Sequence, residues 1–285
     1  MNMPSSRHTS PPVRGFVRPP SMLWGLPLLI MVSCLLLWPL GVIAVRSMRS
    51  DDGFTLGRYG DVLTSSNYLE SFLITSVLAI GSTVIALLLC VPAALYLERT
   101  RTRTSRAISV GLTIPLSLPG IVIGFFVILL FGTTGLFPVT ADQLFGSPIG
   151  QIAYTFTGLL IGYLYFNIPR VILVVRGAVA QVSTESIDAA RTLGASAAHV
   201  YARVVLPALR PAVASASALS LATAFGAFGT AATLSRGYRV VPLDIAASFT
   251  ERFDPQLAAT LSVLLALITT GILVGVNKLG EAKRA

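Results

Sequence analysis

Few residues in this chain are of types that do chemistry, and their placement excludes most kinds of it. The two histidines lie far apart, His8 in a Pro/Ser-rich stretch and His199 in a polar segment. Cys34 and Cys90 fall inside apolar runs and read as buried small hydrophobes rather than a disulfide or a metal site. No Ser-His-Asp set, no His-Glu-x-x-His and no cluster of zinc or iron ligands is present. No Gly-rich loop ends in Gly-Lys-Ser or Gly-Lys-Thr, so the chain lacks the phosphate cradle that ATP hydrolysis needs. What remains is a polar stretch at 185–207, set between apolar runs. It carries Glu185, Asp188, Ala189, Ala190, Arg191 and Gly194, then nine residues, then Val204, Val205, Leu206 and Pro207. The chemistry on offer there is recognition by shape and charge, not bond breaking.

The spacing of that stretch reads as an amphipathic helix, a turn and the start of another helix. Ile187, Ala190 and Leu193 or Gly194 recur at three and four residues, which gives one small apolar face. Glu185, Asp188 and Arg191 take the opposite flank. Gly194 ends or bends the helix. Pro207 and Pro211 stand where a new helix begins, because proline is tolerated in a first turn and poorly in an interior.

This stretch resembles the signature loop of the permease subunits of ATP-binding-cassette importers. That pattern runs Glu-Ala-Ala, three residues, Gly, nine residues, Ile-x-Leu-Pro. Here Asp188-Ala189-Ala190, Gly194 and Val204-Val205-Leu206-Pro207 keep the spacing, with Asp188 for Glu and Val204 for Ile. The resemblance implies a cytoplasmic coupling helix seated in a groove of a separate ATPase subunit. In that reading Asp188 makes a polar contact at the groove rim or caps local amides, and Ala189 and Ala190 permit close seating. Arg191 either pairs with an acid of the ATPase or belongs to a solvated face. The bland alternative is a plain amphipathic connector between two membrane helices.

The elements that must position this loop are membrane helices. The chain has 285 residues, of which 54% are hydrophobic and 12% charged, about half the charged fraction of a soluble domain. Apolar runs lie at about 23–45, 71–97, 107–131, 149–175, 208–234 and 257–279. The first is long for a cleaved signal peptide and lacks a clear small-residue cleavage site. Residues 1–20 read as a disordered cytoplasmic tail, leaving 21–285 as the permease domain with its coupling loop at about 180–207. Pro115, Pro119 and Gly120 interrupt the third run. Segments 132–150 and 235–256 read as external loops, and a short helix is expected near 58–65. In the fourth run, Asn167-Ile-Pro169-Arg170 suggests a helix break near the cytoplasmic surface.

The net charge of +9 suits orientation in a bilayer better than nucleic-acid binding. Arg99, Arg101, Arg103 and Arg106 crowd one short connection, and Arg170, Arg176, Arg191, Arg203 and Arg210 crowd another on the same side. Six spans with both termini in the cytoplasm follow, and the signature loop falls on the side where an ATPase would be. The expected fold is all-α, a polytopic permease of the type I importer kind.

From Ser71 to Gly275 the layout resembles the permeases of polyamine, ferric iron, sulfate/molybdate and aminoethylphosphonate importers, through Leu118-Pro119-Gly120 to Gly124 and Phe225-Gly226-Ala227-Phe228-Gly229-Thr230. The last stretch has Ala227 where the group carries an acid. Pro119, Gly120, Phe225, Gly226, Phe228 and Gly229 are therefore candidates for the substrate path or for helix packing. The resemblance implies two cytoplasmic ATPase subunits that bind ATP and Mg, a second permease, an extracytoplasmic substrate-binding protein and a bacterial inner membrane. By weak analogy it implies a polyamine or other small ion as cargo. The central runs hold almost no Asp, Glu, Lys or Arg, which argues against an ATP-independent secondary carrier. A non-transporting assembly protein would need no ATPase and would tolerate changes in 185–207.

Overall fold

The computed structural model describes residues 21–50, 53–100 and 102–281. The tail expected at 1–20, and the basic end at Lys283 and Arg284, lie outside the described residues. The chain divides into two compact units, residues 1–43 and 44–285. The described part of the first unit is the beginning of helix α1 (Ser21–Met48), whose large apolar side chains, Leu29, Leu35 and Trp38 among them, are exposed. Among the described residues, six helical stretches are long and apolar enough to cross a bilayer.

The second unit opens with the end of α1 and a two-residue hairpin, β1 (Arg49–Ser50) and β2 (Gly53–Phe54). Helix α2 (Gly57–Thr64) is the short helix expected near 58–65, and α3 (Ser66–Thr100) carries the second apolar run. Next come α4 (Arg103–Gly111), α5 (Thr113–Ser117) and α6 (Gly120–Phe131). The third run therefore breaks at both proline positions. Its membrane-length stretch is Gly120–Phe145, shifted C-terminally from 107–131.

That shift exists because 136–145 is not a loop. Helix α7 (Leu136–Phe145) begins after Gly135 and stops at Gly146, so these glycines bound a helix rather than mark a coil. Helix α8 (Phe156–Val179) also corrects an expectation, since it runs unbroken through Pro169. It is clamped to α3 along its length. Leu159, Tyr163, Val171 and Val175 are fully buried, and the Asn167 Nδ2 donates to the Ser82 Oγ at 3.1 Å. Neighbouring helices thus hold the geometry that proline alone would disturb.

The signature stretch folds as α9 (Thr184–Thr192), α10 (Ala197–Val200), a π-helical turn (Tyr201–Val205) and the start of α11 (Leu206–Phe225), and α12 (Phe228–Leu234) follows. Pro207 stands in the first turn of α11, although helical backbone leads into it from Ala197, and Pro211 lies inside α11. The π turn sends the Leu206 N–H back to the Tyr201 carbonyl, five residues away. Its widened turn sits just ahead of the proline that has no N–H to donate.

Helix α13 (Val241–Thr250) replaces the expected loop at 235–256, and α14 (Pro255–Glu281) completes the unit. Buried polar contacts pin α13 against α3. The Ser71 hydroxyl donates to the Asp244 carboxylate, Asp244 also pairs with Arg239 at 3.1 Å, and the Val241 N–H donates to the Thr75 Oγ1 at 3.0 Å. The charges of this segment therefore serve the fold as well as orientation.

Helices α6 and α12 cross with their backbones in contact. A Cβ added at Gly229 would stand 2.9 Å from the Ile121 nitrogen and 3.2 Å from the Gly120 carbonyl carbon. The Thr230 hydroxyl donates to the Gly120 carbonyl at 3.1 Å across the same crossing. Gly229→Ala is expected to destabilise the protein by about 1–3 kcal/mol, because backbone rather than a flexible side chain must yield. Thermal unfolding of the purified protein in detergent measures this. An unchanged midpoint would show that the two helices separate freely.

Candidate functional site: the capped loop helix and a cavity at two helix breaks

The segment 183–195 folds as a helix capped at both ends by its own chain. The Ser183 hydroxyl accepts from the Ser186 N–H at 3.3 Å, so the N-cap is Ser183 and not Asp188. Glu185 lies in the first turn, where a carboxylate suits the positive end of the helix dipole. At the other end Gly194 takes φ +80, a conformation that L side chains rarely adopt. The Gly194 N–H bonds the Arg191 carbonyl at 2.9 Å and the Ala195 N–H bonds the Ala190 carbonyl at 3.1 Å. This pair of bonds is the Schellman arrangement, and it explains the glycine at this position.

The face of α9 available to a partner differs from the expected one. Ile187 is buried and Ala190 half-buried in a cluster with Val200 and Val205, so the small apolar face packs on its own chain. Glu185, Asp188, Ala189, Arg191 and Gly194 are exposed, and Leu193 is 88% exposed. Leu193 still bonds the Ala189 carbonyl through its N–H at 3.1 Å, and at six residues from Ile187, about 240° round the helix, it lies off the Ile187 face. Arg191 lies 3.9 Å from Asp188 with both side chains in the open, a pairing worth a few tenths of a kcal/mol at most. A cavity of about 370 Å³ opens beside this helix between Glu98, Val182, Ile187 and Arg191.

The rest of the signature is divided. Val205 joins the buried cluster, whereas Leu206 is exposed and borders a separate apolar groove with Leu87, Leu88 and Val91. Pro207 is half-buried. Leu206 and Pro207 thus set the start of α11 and are not part of the exposed face of α9. An ion pair absent from the sequence reading lies close by. Both Arg176 Nε and Nη2 donate to one Glu98 oxygen, at 3.2 and 2.8 Å, while Nη1 contacts the Ser109 hydroxyl. The pair joins the C-terminal ends of α3 and α8 to α4, just ahead of the loop. No sequence pattern marks it, because its partners are far apart along the chain.

The second candidate group does converge. The breaks between α5 and α6 and between α11 and α12 face each other across a cavity of about 260 Å³, and α8 closes a third side. Gly120, Gly226, Phe228 and Gly229 line it, whereas Pro119 caps the start of α6 and Phe225 is buried in the core. Gly226 is not a helix-packing partner of Gly229. It stands at the break, while Gly229 packs on Gly120. Arg170 also lines the cavity. It was expected near a helix end, but it sits inside α8, whose last residue is Val179.

The chain belongs to the family of binding-protein-dependent transport system inner membrane components, whose pattern matches residues 90–277. It is 31% identical over 225 residues to the molybdenum transport system permease protein ModB of Mycobacterium tuberculosis, covering 77% of this chain and 83% of that one. The sulfate transport system permease protein CysT of Salmonella typhimurium is 26% identical over 242 residues, with 84% of each chain covered. A putative 2-aminoethylphosphonate transport system permease protein, PhnU, from the same species is 24% identical over 255 residues, covering 88% of this chain and 89% of that one. Among solved structures, a chain of a bacterial ABC transporter that imports the acidic polysaccharide alginate superposes with TM-score 0.78 at 12% identity, over 92% of this chain and 96% of that one. A chain of the MetNI methionine ABC transporter gives 0.59 at 17% identity, over 75% of this chain and 94% of that one. The fold is that of the permeases of ABC importers, and the protein is a multi-pass membrane transport subunit.

Proposed function

We propose that this chain forms part of the substrate path of an ATP-driven importer in a bacterial inner membrane. Two cytoplasmic ATPase subunits, which bind the ATP and Mg, drive it through α9. A second permease, itself a copy or a homologue, completes the path, and an extracytoplasmic binding protein delivers the cargo. The observation that carries this reading is α9 itself, a helix fixed at both ends by its own chain yet presenting Asp188, Ala189, Arg191 and Leu193 to a partner. When the ATPase pair closes on ATP, a helix so capped moves as a rigid body and transmits the motion to α8 and α11. The concentration of arginine in 99–106 and 176–210 supports a cytoplasmic position for this side and for both termini.

For the cargo, the reading is a small oxyanion. The relatives above are named for molybdenum, sulfate and 2-aminoethylphosphonate transport. The cavity at the helix breaks holds an arginine and no carboxylate among its lining residues, the reverse of what a spermidine- or putrescine-like cation needs. The polyamine expectation therefore gives way. The test is co-purification from mildly solubilised membranes with uptake measured on the reconstituted complex. The wild type is expected to retain an ATPase and a second permease and to take up sulfate or molybdate only with ATP. Leu193→Glu, which places a charge on the one large apolar side chain of the exposed face, should weaken ATPase retention about tenfold or more. Full retention by Leu193→Glu would remove this face as the docking surface, and the absence of any ATPase from the wild type would overturn the importer reading.

A further inference from the structure

We infer that Arg170 is a cargo ligand in the transport path, a specificity-determining residue that holds a tetrahedral oxyanion in the cavity between the helix breaks. The inference rests on the importer reading above and adds a binding subsite to it.

Arg170 is expensive where it stands. It lies fourteen residues into α8, in one of the stretches long and apolar enough to cross a membrane, about 21 Å along the helix from its first residue. A guanidinium at such a depth persists where it faces a water-filled cavity or a partner. Arg170 faces the cavity, yet its Nη1 is buried with no hydrogen-bond partner. The contact recorded for its guanidinium is the Phe166 ring, 5.8 Å from the centroid, which orients the plane without satisfying its donors. An unpaired buried donor costs free energy unless something visits it.

The surroundings specify the visitor. No acidic residue lines the cavity, and the other lining residues are apolar or small, including Thr223, Gly226 and Gly229. A guanidinium carries parallel N–H groups that match two oxygens of a sulfate-, molybdate- or phosphonate-like group and offer nothing to a cation. At about 260 Å³, against roughly 30 Å³ per water in the liquid, the cavity accommodates a small anion with part of its hydration but not an extended polymer. A ligand held in the path must also leave, and a single fork with few further donors suits transient binding.

The experiment uses the complete importer in proteoliposomes, with Cys34→Ser and Cys90→Ala in this chain and Thr223→Cys as a reporter in the cavity. The rate at which a negatively charged methanethiosulfonate modifies the reporter is measured with sulfate, molybdate, chloride at matched ionic strength, or spermidine present. Sulfate and molybdate are expected to slow modification about tenfold, while chloride and spermidine leave it unchanged. R170Q should abolish the protection and lower ATP-driven oxyanion uptake about 30-fold or more. R170K keeps the charge but loses the fork. It should retain rapid modification by the anionic reagent yet lose most of the oxyanion protection, so it carries the test if R170Q fails to assemble. Equal protection by chloride, undiminished protection in R170K, or no protection in a complex that takes up oxyanion with ATP would each overturn the assignment. Protection in a complex that transports no oxyanion would instead leave the subsite standing and overturn the cargo reading.

Discussion

Gly194→Val is expected to reduce ATP-driven uptake about ten- to a hundredfold while leaving membrane insertion and the cavity at the helix breaks unchanged and lowering the thermal midpoint by only a few degrees. No steric clash causes this, since nothing lies within 4 Å of a Cβ at Gly194. The cause is the backbone. At φ +80 a β-branched residue carries about 1–3 kcal/mol of strain, enough to shift the population of the capped end by that range. Releasing the strain breaks the bonds from Gly194 to Arg191 and from Ala195 to Ala190. It also moves Leu193, whose exposed position depends on the chain reversing there. Because α9 buries little beyond Ile187, the loss should stay local and spare the fold. Gly194→Asn supplies the control, since asparagine tolerates the left-handed region far better than valine. Uptake by reconstituted complexes should fall with valine and largely recover with asparagine. Equal loss in both would mean that volume, not backbone conformation, matters at this position. Full activity in both would sink the role of a rigid α9.

The same helix shows what one sequence makes legible. Gly194 and the spacing from Asp188 to Pro207 could be read because they are local: a glycine after a helical run, with motif residues at fixed offsets. The six apolar runs could be read because a bilayer demands about twenty apolar residues per crossing. What failed involved distant contacts or a helix end placed to the residue. Periodicity put Leu193 or Gly194 on the Ile187 face, but Leu193 stands six residues on, about 240° round the helix, and is exposed. Proline and glycine suggested a loop at 132–150 and a break at Pro169. Yet Gly135 and Gly146 bound helix α7, and α8 passes Pro169 because α3 packs against it on both sides, with Asn167 bonded to Ser82. The cavity group was half legible. Gly120, Gly226, Phe228 and Gly229 stood out as stretches, but the third wall and its arginine come from α8. A lone arginine at the presumed end of a span is ordinary, and only the continuity of α8 makes Arg170 costly.

The Glu98–Arg176 pair carries the other large expected effect. Arg176 reaches Glu98 with two N–H groups and Ser109 with a third, and the two side chains are 20% and 18% exposed. Geometry and partial burial set it apart from the open Asp188–Arg191 pair. Removing one partner strands a charge in a place where water only partly compensates. Glu98→Gln or Arg176→Gln alone should therefore cost about 2–3 kcal/mol, below the roughly 3–5 kcal/mol of a fully buried pair because these side chains are partly exposed. The double variant leaves no stranded charge and should cost less than the sum of the two, with a coupling energy of about 1–2 kcal/mol. Thermal unfolding in detergent across the four proteins measures the cycle, and additivity would reduce the contact to a surface pairing. The pair also ties α8 to α3 and α4 immediately before the chain enters α9, so it bears on function as well as stability. If motion of α9 reaches the cavity through α8, loosening this tie should let the ATPase turn over with less cargo moved. The measurement is the ratio of ATP hydrolysed to cargo taken up, expected to rise in either single variant and to fall back toward wild type in the double. An unchanged ratio beside a lowered thermal midpoint would confine the pair to holding the helices together and leave coupling to the direct passage from α9 through the π-helical turn into α11.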